Sequence, residues 1–221
     1  MNEQSFIFFR MHMPLSTDKR TRILQAAVSV FADRGFFQSR VSDVADAAGV
    51  AGGTIYLYFK SKDDLLISLF EDRMDNIIEH VNDALMAVDT APERLRIFVQ
   101  KHLQMVRDYP ELAEVLIVEL RQSSKFMREY TPVKFAEYLD IIEQILRDGI
   151  DAGDFRATLS PRLAKRIIFG ALEEVCATWL RFRRDGLDSP FDLEQAGAQL
   201  WEILSTGFFT VGHHVQKRST Q

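Results

Sequence analysis

Apolar residues recur along this chain at spacings of three and four, and no stretch alternates for long enough to argue a strand. Ile23, Leu24, Ala27, Val30 and Phe31 form the stripe of a first helix, capped by Ser16 or Thr17 and stopped at Gly35. Val41, Val44, Ala45 and Ala48 predict a short second helix. It ends at Gly49, where a left-handed residue can turn the chain and let Val50 fold back on the apolar face. Ile55 and Phe59 then point inward from a third helix, which turns Gly53, Thr54, Leu57 and Tyr58 outward with Tyr56 on the flank.

The remaining stripes are longer. Leu65, Leu66, Leu69, Phe70, Ile77, Ile78, Val81 and Leu85 predict a fourth helix from Ser61 to the break at Thr90-Ala-Pro92. Such a helix of about 27 residues is a rod of roughly 40 Å. Leu95, Phe98, Val99, His102, Leu103 and Val106 mark a fifth helix; Leu112, Val115, Leu116, Val118 and Leu120 mark a sixth. A seventh spans about Pro132 to Ala152, an eighth opens at Ser160-Pro161 and ends at Asp185-Gly186, and a ninth begins near Pro190–Asp192. The predicted fold is therefore all-α, with about nine helices in a three-helix helix-turn-helix head and a larger helical body. The expected division is a flexible arm over 1–15, the head over 16–62, the body over 63–215 and a polar tail over 216–221.

Two short helices joined by a glycine turn can set the second in a DNA major groove. The outward residues suit that task. Gly53 lets the backbone approach a phosphate, Thr54 offers a hydroxyl and a methyl, and Tyr56 and Tyr58 carry phenols that donate to phosphate oxygens. Lys60 and Lys62 follow, and Ser61 is placed to cap the fourth helix, so that Lys62 and free N–H groups share one phosphate. Gln38, Ser39 and Arg40 stand at the start of the second helix, where they can hold the DNA backbone across the groove. Arg40 can equally pair with Asp43, and a helical hairpin with surface tyrosines would share this spacing.

Charge sharpens the division. The whole chain carries −5, yet residues 1–60 hold seven Lys/Arg against five acids. A mildly basic head on an acidic body fits a protein that meets DNA with one end. The one cysteine, Cys176, excludes an intrachain disulfide and a cysteine metal cluster, fits a reducing cytoplasm, and sits among Leu172, Val175 and Trp179 as a core thiol. No apolar run reaches the roughly 20 residues of a membrane span, so no membrane partner is expected. The five histidines show no metal-ligand spacing, and no phosphate loop or nucleophile elbow occurs, so no enzyme and no cofactor is expected. His102 lies on an apolar stripe, as a core histidine or as a polar anchor for a ligand.

The run from Gly35 to Leu66, with Val41-Ser-Asp-Val-Ala-Asp-Ala-Ala-Gly-Val-Ala-Gly-Gly-Thr-Ile-Tyr-Leu-Tyr-Phe-Lys-Ser-Lys62 at its centre, resembles the DNA-binding domain of TetR-family transcriptional regulators. Ala51 stands where that family often has serine, and Tyr58 where many members have histidine. The resemblance implies a homodimer through the eighth and ninth helices, operator double-stranded DNA as partner, and the fourth helix as lever. It also implies an apolar pocket for a small-molecule effector between helices four, five, seven and eight. Phe98, His102, Leu103, Leu116, Leu120, Arg121, Tyr138, Ile142, Phe169, Leu172 and Glu173 are the residues this assigns to the ligand. Glu119-Leu-Arg-Gln-Ser123, Tyr138-Leu-Asp-Ile-Ile142 and Arg162 to Trp179 further resemble the TetR-type regulators of fatty-acid degradation. Those repress degradation genes and leave DNA on binding long-chain acyl-CoA, whose head would be met by Arg121, Lys125, Arg128 and Lys134. A TetR-type repressor of an efflux or other catabolic operon, induced by a different hydrophobic molecule, is the alternative.

Overall fold

The computed structural model describes residues 18–122 and 133–208, with the side chains of 121 and 122 outside that description. Nine α-helices and no β-strand occur among the described residues. The head holds α1 (Lys19–Arg34), α2 (Val41–Ala48) and α3 (Gly52–Ile55). The body is built from α4 (Lys62–Met86), α5 (Ala91–Asp108), α6 (Pro110–Ala113), α7 (Val133–Asp151), α8 (Pro161–Arg184) and α9 (Leu193–Phe208).

The cap of α1 is Asp18, whose carboxylate accepts from Arg20 N–H at 3.3 Å; the expected caps Ser16 and Thr17 lie outside the described residues. At Gly49, with φ 63°, the N–H of Gly49 bonds to Asp46 O and that of Val50 to Ala45 O, so the paired bonds of a left-handed cap close α2. The Arg22 guanidinium reaches across from α1 to the same turn, donating to Ala48 O at 2.6 Å and Gly49 O at 3.2 Å. Thus the angle between the two helices is held from a third.

α4 starts as expected, with Ser61 Oγ accepting from Asp64 N–H at 3.1 Å, and runs 25 residues. Leu65, Leu66 and Leu69 are fully buried against the head, while Ile77, Val81 and Leu85 belong to the body core. One rod therefore spans both regions.

The sixth helix departs from expectation. Only Pro110–Ala113 is α-helical; Glu114–Val118 widens to a π-helix and Glu119–Gln122 tightens to a 3-10 turn. That shift of pitch places two glutamates of the segment, Glu114 and Glu119, in the interior. In the body, α5 and α7 run antiparallel, with Arg94 near Asp148 at one end and Phe98 against Tyr138 toward the other. α8 then returns along α7, joined by the ion pair of Lys165 with Asp140 at 2.7 Å and by Phe169 packed on Phe135.

Candidate nucleic-acid interface and a buried His–Tyr pair

Four α-helical residues and the turn that follows them make the candidate reading surface. Ile55 and Phe59 are buried, and that anchoring turns Tyr56, Leu57 and Tyr58 outward, Leu57 to 81% exposure and Tyr56 to 60%. Gly53 is exposed with no atom within 4 Å of where a Cβ would stand, so a phosphate can approach its backbone. Thr54 is half-buried beside it, and Gln38, Arg40 and Lys60 are exposed. Phe37, 62% exposed, joins this side of the head, and the sequence pattern alone did not mark it. Arg40 does not take Asp43 as its ion partner: Asp43 pairs with Arg34 at 3.2 Å and accepts Arg40's backbone N–H at 2.7 Å.

Two of the expected DNA contacts are corrected. Ser39 is only 2% exposed, and its hydroxyl donates to Gly35 O at 2.7 Å and lies 3.2 Å from Val30 O; it braces the link between α1 and α2. Lys62 also turns inward. Its ammonium donates to the carbonyls of Phe36, Ser39 and Phe37 at 2.7, 3.0 and 3.2 Å and lies 4.5 Å over the Phe36 ring. Partial burial lowers its pKa from the ordinary lysine value. A cation bound to three carbonyls organises the loop that carries Gln38 and Arg40.

The same loop is tied to the body. Phe36 N–H donates to Glu119 Oε2, across 83 positions of sequence. Gly35 beside it takes φ 77°, a left-handed value that glycine accommodates, and the carboxylate lies in ordinary contact, 3.5 Å from where a Cβ would stand. Below it, Glu114 accepts from Arg184 of α8 at 3.3 Å, and burial holds its carboxyl above the usual carboxylate range. On the other flank a cleft of about 560 Å³ opens between α1 and the corner of α5 and α6, lined by Gln25, Ser29, Tyr109 and Arg183. Head and body therefore touch through specific bonds with open space beside them.

Four of the residues assigned to the ligand, Phe98, His102, Tyr138 and Phe169, converge. His102, 5% exposed on α5, meets the Tyr138 hydroxyl of α7 through Nδ1 at 2.9 Å. Phe169 of α8 stands edge-on to both rings, and Phe98 lies 5.1 Å from Tyr138. Ile142, Leu172 and Leu120 are buried; Leu116 and Glu173 are half-buried. Burial pushes the His102 imidazole down to about 4, so it is neutral at pH 7, and pushes the Tyr138 phenol up. The His102 Nε2 atom has no hydrogen-bond partner among the described residues. Leu103 is buried, and its Cδ1 lies 2.8 Å from where a Cβ on Gly197 of α9 would stand.

Arg121, Lys125 and Arg128 lie outside the described side chains. Lys134 is a surface cation already ion-paired, with Asp75 of α4 and Glu137 each at 2.9 Å. Cys176 is a buried thiol whose pKa burial raises to about 12, as a core position requires. Arg73 was missed: it occupies the apolar stripe of α4 between Leu69 and Ile77 and is 4% exposed. That stripe spacing was its signal. No helix among the described residues is long and apolar enough to cross a membrane.

Two family models account for nearly all of the described chain. Residues 23–69 match the bacterial regulatory proteins of the tetR family, and residues 70–207 match the C-terminal region of YsiA-like proteins. The fatty acid metabolism regulator protein of Bacillus subtilis is 39% identical over 86% of this chain and 95% of its own length. Among solved structures, the transcriptional regulator FadR from Bacillus subtilis in complex with stearoyl-CoA superposes with a TM-score of 0.78. It is 38% identical over 85% of this chain and 98% of that one. The fatty acid degradation regulator FadR from Bacillus halodurans gives 0.78 at 36% identity, over 86% and 95%. With a reading face on a glycine-turned helix pair and matches along its length, this chain belongs to the TetR family of bacterial transcriptional regulators.

Proposed function

We propose that this protein represses fatty-acid degradation genes and leaves its operator when a long-chain acyl-CoA binds the body. As a member of its family it is a DNA-binding regulator and not an enzyme. The observation that carries the ligand is the likeness to a regulator solved with stearoyl-CoA. The aromatic group around His102, flanked by Ile142 and Leu172, has the apolar character an acyl chain needs. Residues 16–62 read DNA in this proposal, residues 63–215 hold ligand and partner, and the protein works in the cytoplasm.

A single reading helix meets too few bases, so the regulator acts as a two-fold dimer on half-sites roughly 34–36 Å apart. Leu163 and Ile167 on α8 and Ile203 on α9 are large apolar side chains left exposed, and they support the expectation that these two helices meet their copies. Ligand favours a state in which α4 and the Glu119–Phe36 bond hold the heads at a different separation. Tenfold derepression requires a preference of only about 1.4 kcal/mol for that state.

The test is fluorescence anisotropy of a labelled duplex from the gene's own upstream region, titrated with protein and then with palmitoyl-CoA, free coenzyme A and palmitate. Release by palmitoyl-CoA alone is the expected result. Tight operator binding that ignores every acyl-CoA would keep the regulator and transfer it to an efflux or other catabolic operon with a different hydrophobic inducer.

A further inference from the structure

The His102–Tyr138 pair is a polar feature in an apolar place. Tyr138 packs on Phe98, and Phe169 stands 5.8 Å from the imidazole and 5.1 Å from Phe135. A neutral imidazole has one N–H and one bare nitrogen, and the Tyr138 hydrogen bond decides which is which. The phenol is protonated and meets Nδ1 at 2.9 Å. If it donates to Nδ1, the ring proton sits on Nε2 and one group is left unsatisfied. The opposite tautomer strands both the phenol proton and Nε2. The first arrangement is favoured, so His102 presents an N–H with no acceptor among the described residues. A buried donor of this kind is costly in the free protein and is relieved by an acceptor that arrives with a ligand.

From this geometry we infer that His102 reads the acyl thioester itself, donating Nε2–H to its carbonyl oxygen, with Tyr138 as the positioning residue that fixes the tautomer. The inference rests on the acyl-CoA reading above. Within an acyl-CoA, the thioester carbonyl is the polar atom joined directly to the hydrocarbon tail, so it is the acceptor that travels furthest into an apolar site. Tyr138 lies in the second turn of α7, one turn beyond Lys134, while Ile142 and Leu172 continue the apolar lining deeper into the body. The carbonyl at His102 therefore leaves the tail among apolar side chains and the coenzyme toward the start of α7. The buried pair then makes the regulator respond to activated acyl groups and not to any greasy chain on coenzyme A.

The discriminating probe is S-hexadecyl-coenzyme A, a thioether with the same chain length and head as palmitoyl-CoA but no carbonyl. Dissociation constants for both are measured on the full chain by calorimetry, for wild type, His102→Phe and Tyr138→Phe. Wild type is expected to prefer palmitoyl-CoA by about tenfold, from the usual worth of one buried hydrogen bond. His102→Phe should bind the two equally, and Tyr138→Phe should fall between. Nitrogen-15 spectra of histidine-labelled wild type should show Nε2 protonated before ligand, and palmitoyl-CoA should move its proton downfield. Equal binding by wild type, or a preference that survives His102→Phe, overturns the assignment while leaving the acyl-CoA reading intact. Binding of neither compound removes the acyl-CoA reading and this assignment with it. Should a variant fail to fold, the wild-type ratio and the spectra still decide.

Discussion

In the head, the polar groups that turn inward are completed by the chain: Ser39 finds two carbonyls and Lys62 three. The body's inward-turned His102 finds one partner and leaves Nε2 without another among the described residues. A satisfied network rigidifies, whereas an unpaired buried group costs free energy until it finds a partner. The head is therefore a finished shape, and in the proposed reading of the thioester by His102 the body's unfinished pair is the place where a ligand lowers the free energy. A regulator needs that asymmetry, because a reading head must stay constant while a sensing body changes.

The largest expected effect tests the body's half of this contrast. His102 has a folded pKa of about 4 against the ordinary 6.5, with burial as the cause. Below 6.5 the unfolded chain takes a proton that the folded chain refuses. Stability therefore falls as pH drops through that window, and His102 accounts for about 3 kcal/mol of the loss by pH 4. Glu114 acts with the opposite sign, since its raised carboxyl pKa favours the folded state at low pH. Comparing urea unfolding of wild type and His102→Phe from pH 7 to 4 cancels that term. The wild-type curve should fall more steeply; parallel curves would mean that the imidazole is not desolvated.

Next comes the head. Lys62→Ala leaves three carbonyls without their cation and should cost about 2 kcal/mol of stability, read by the same denaturation. Operator affinity should fall as well, because the loop bearing Gln38 and Arg40 loses its brace. Tyr58→Phe is the counterpart. It removes one exposed hydroxyl, so stability should stay within about 0.5 kcal/mol while operator affinity drops roughly fivefold. A Lys62→Ala protein with unchanged stability and reduced DNA affinity would show that the ammonium leaves the carbonyls for a phosphate.

The contrast also explains what could be read from the sequence. Helix periodicity and glycine stops placed seven of the nine helices well, since burying a stripe and ending at Gly49 or Gly186 are local matters, whereas α3 closes at Ile55 and leaves Phe59 beyond it. The sixth failed because Leu112 to Leu120 keep helical spacing while Glu114 and Glu119 must turn inward to meet partners far along the chain, and a wider pitch accommodates both. In the head, outward residues such as Tyr56 and Tyr58 were legible from the burial of Ile55 and Phe59. Ser39 and Lys62 were not, because their carbonyl partners belong to a loop whose shape no periodicity encodes. The aromatic group around His102 was recoverable in its membership, yet the Tyr138 bond that gives it chemistry joins residues 36 positions apart.

Glu119 carries the sharpest test of how the two regions communicate. Its carboxylate is the body's bond to the Phe36 N–H, within the same loop that Lys62 gathers, and its segment continues from the π-helix packed on α8. Glu119→Gln keeps an oxygen for that N–H and removes the charge, so it should cost about 1 kcal/mol of stability, the difference between a charged and a neutral acceptor. Operator affinity without ligand and palmitoyl-CoA affinity without DNA should each change little. The quantity that should move is the ratio of operator affinities with and without palmitoyl-CoA, which should shrink roughly fivefold as about 1 kcal/mol of coupling is lost. If the ratio stays at its wild-type value, the shared rod α4 carries the signal by itself and the Glu119 bond serves only to seat the head.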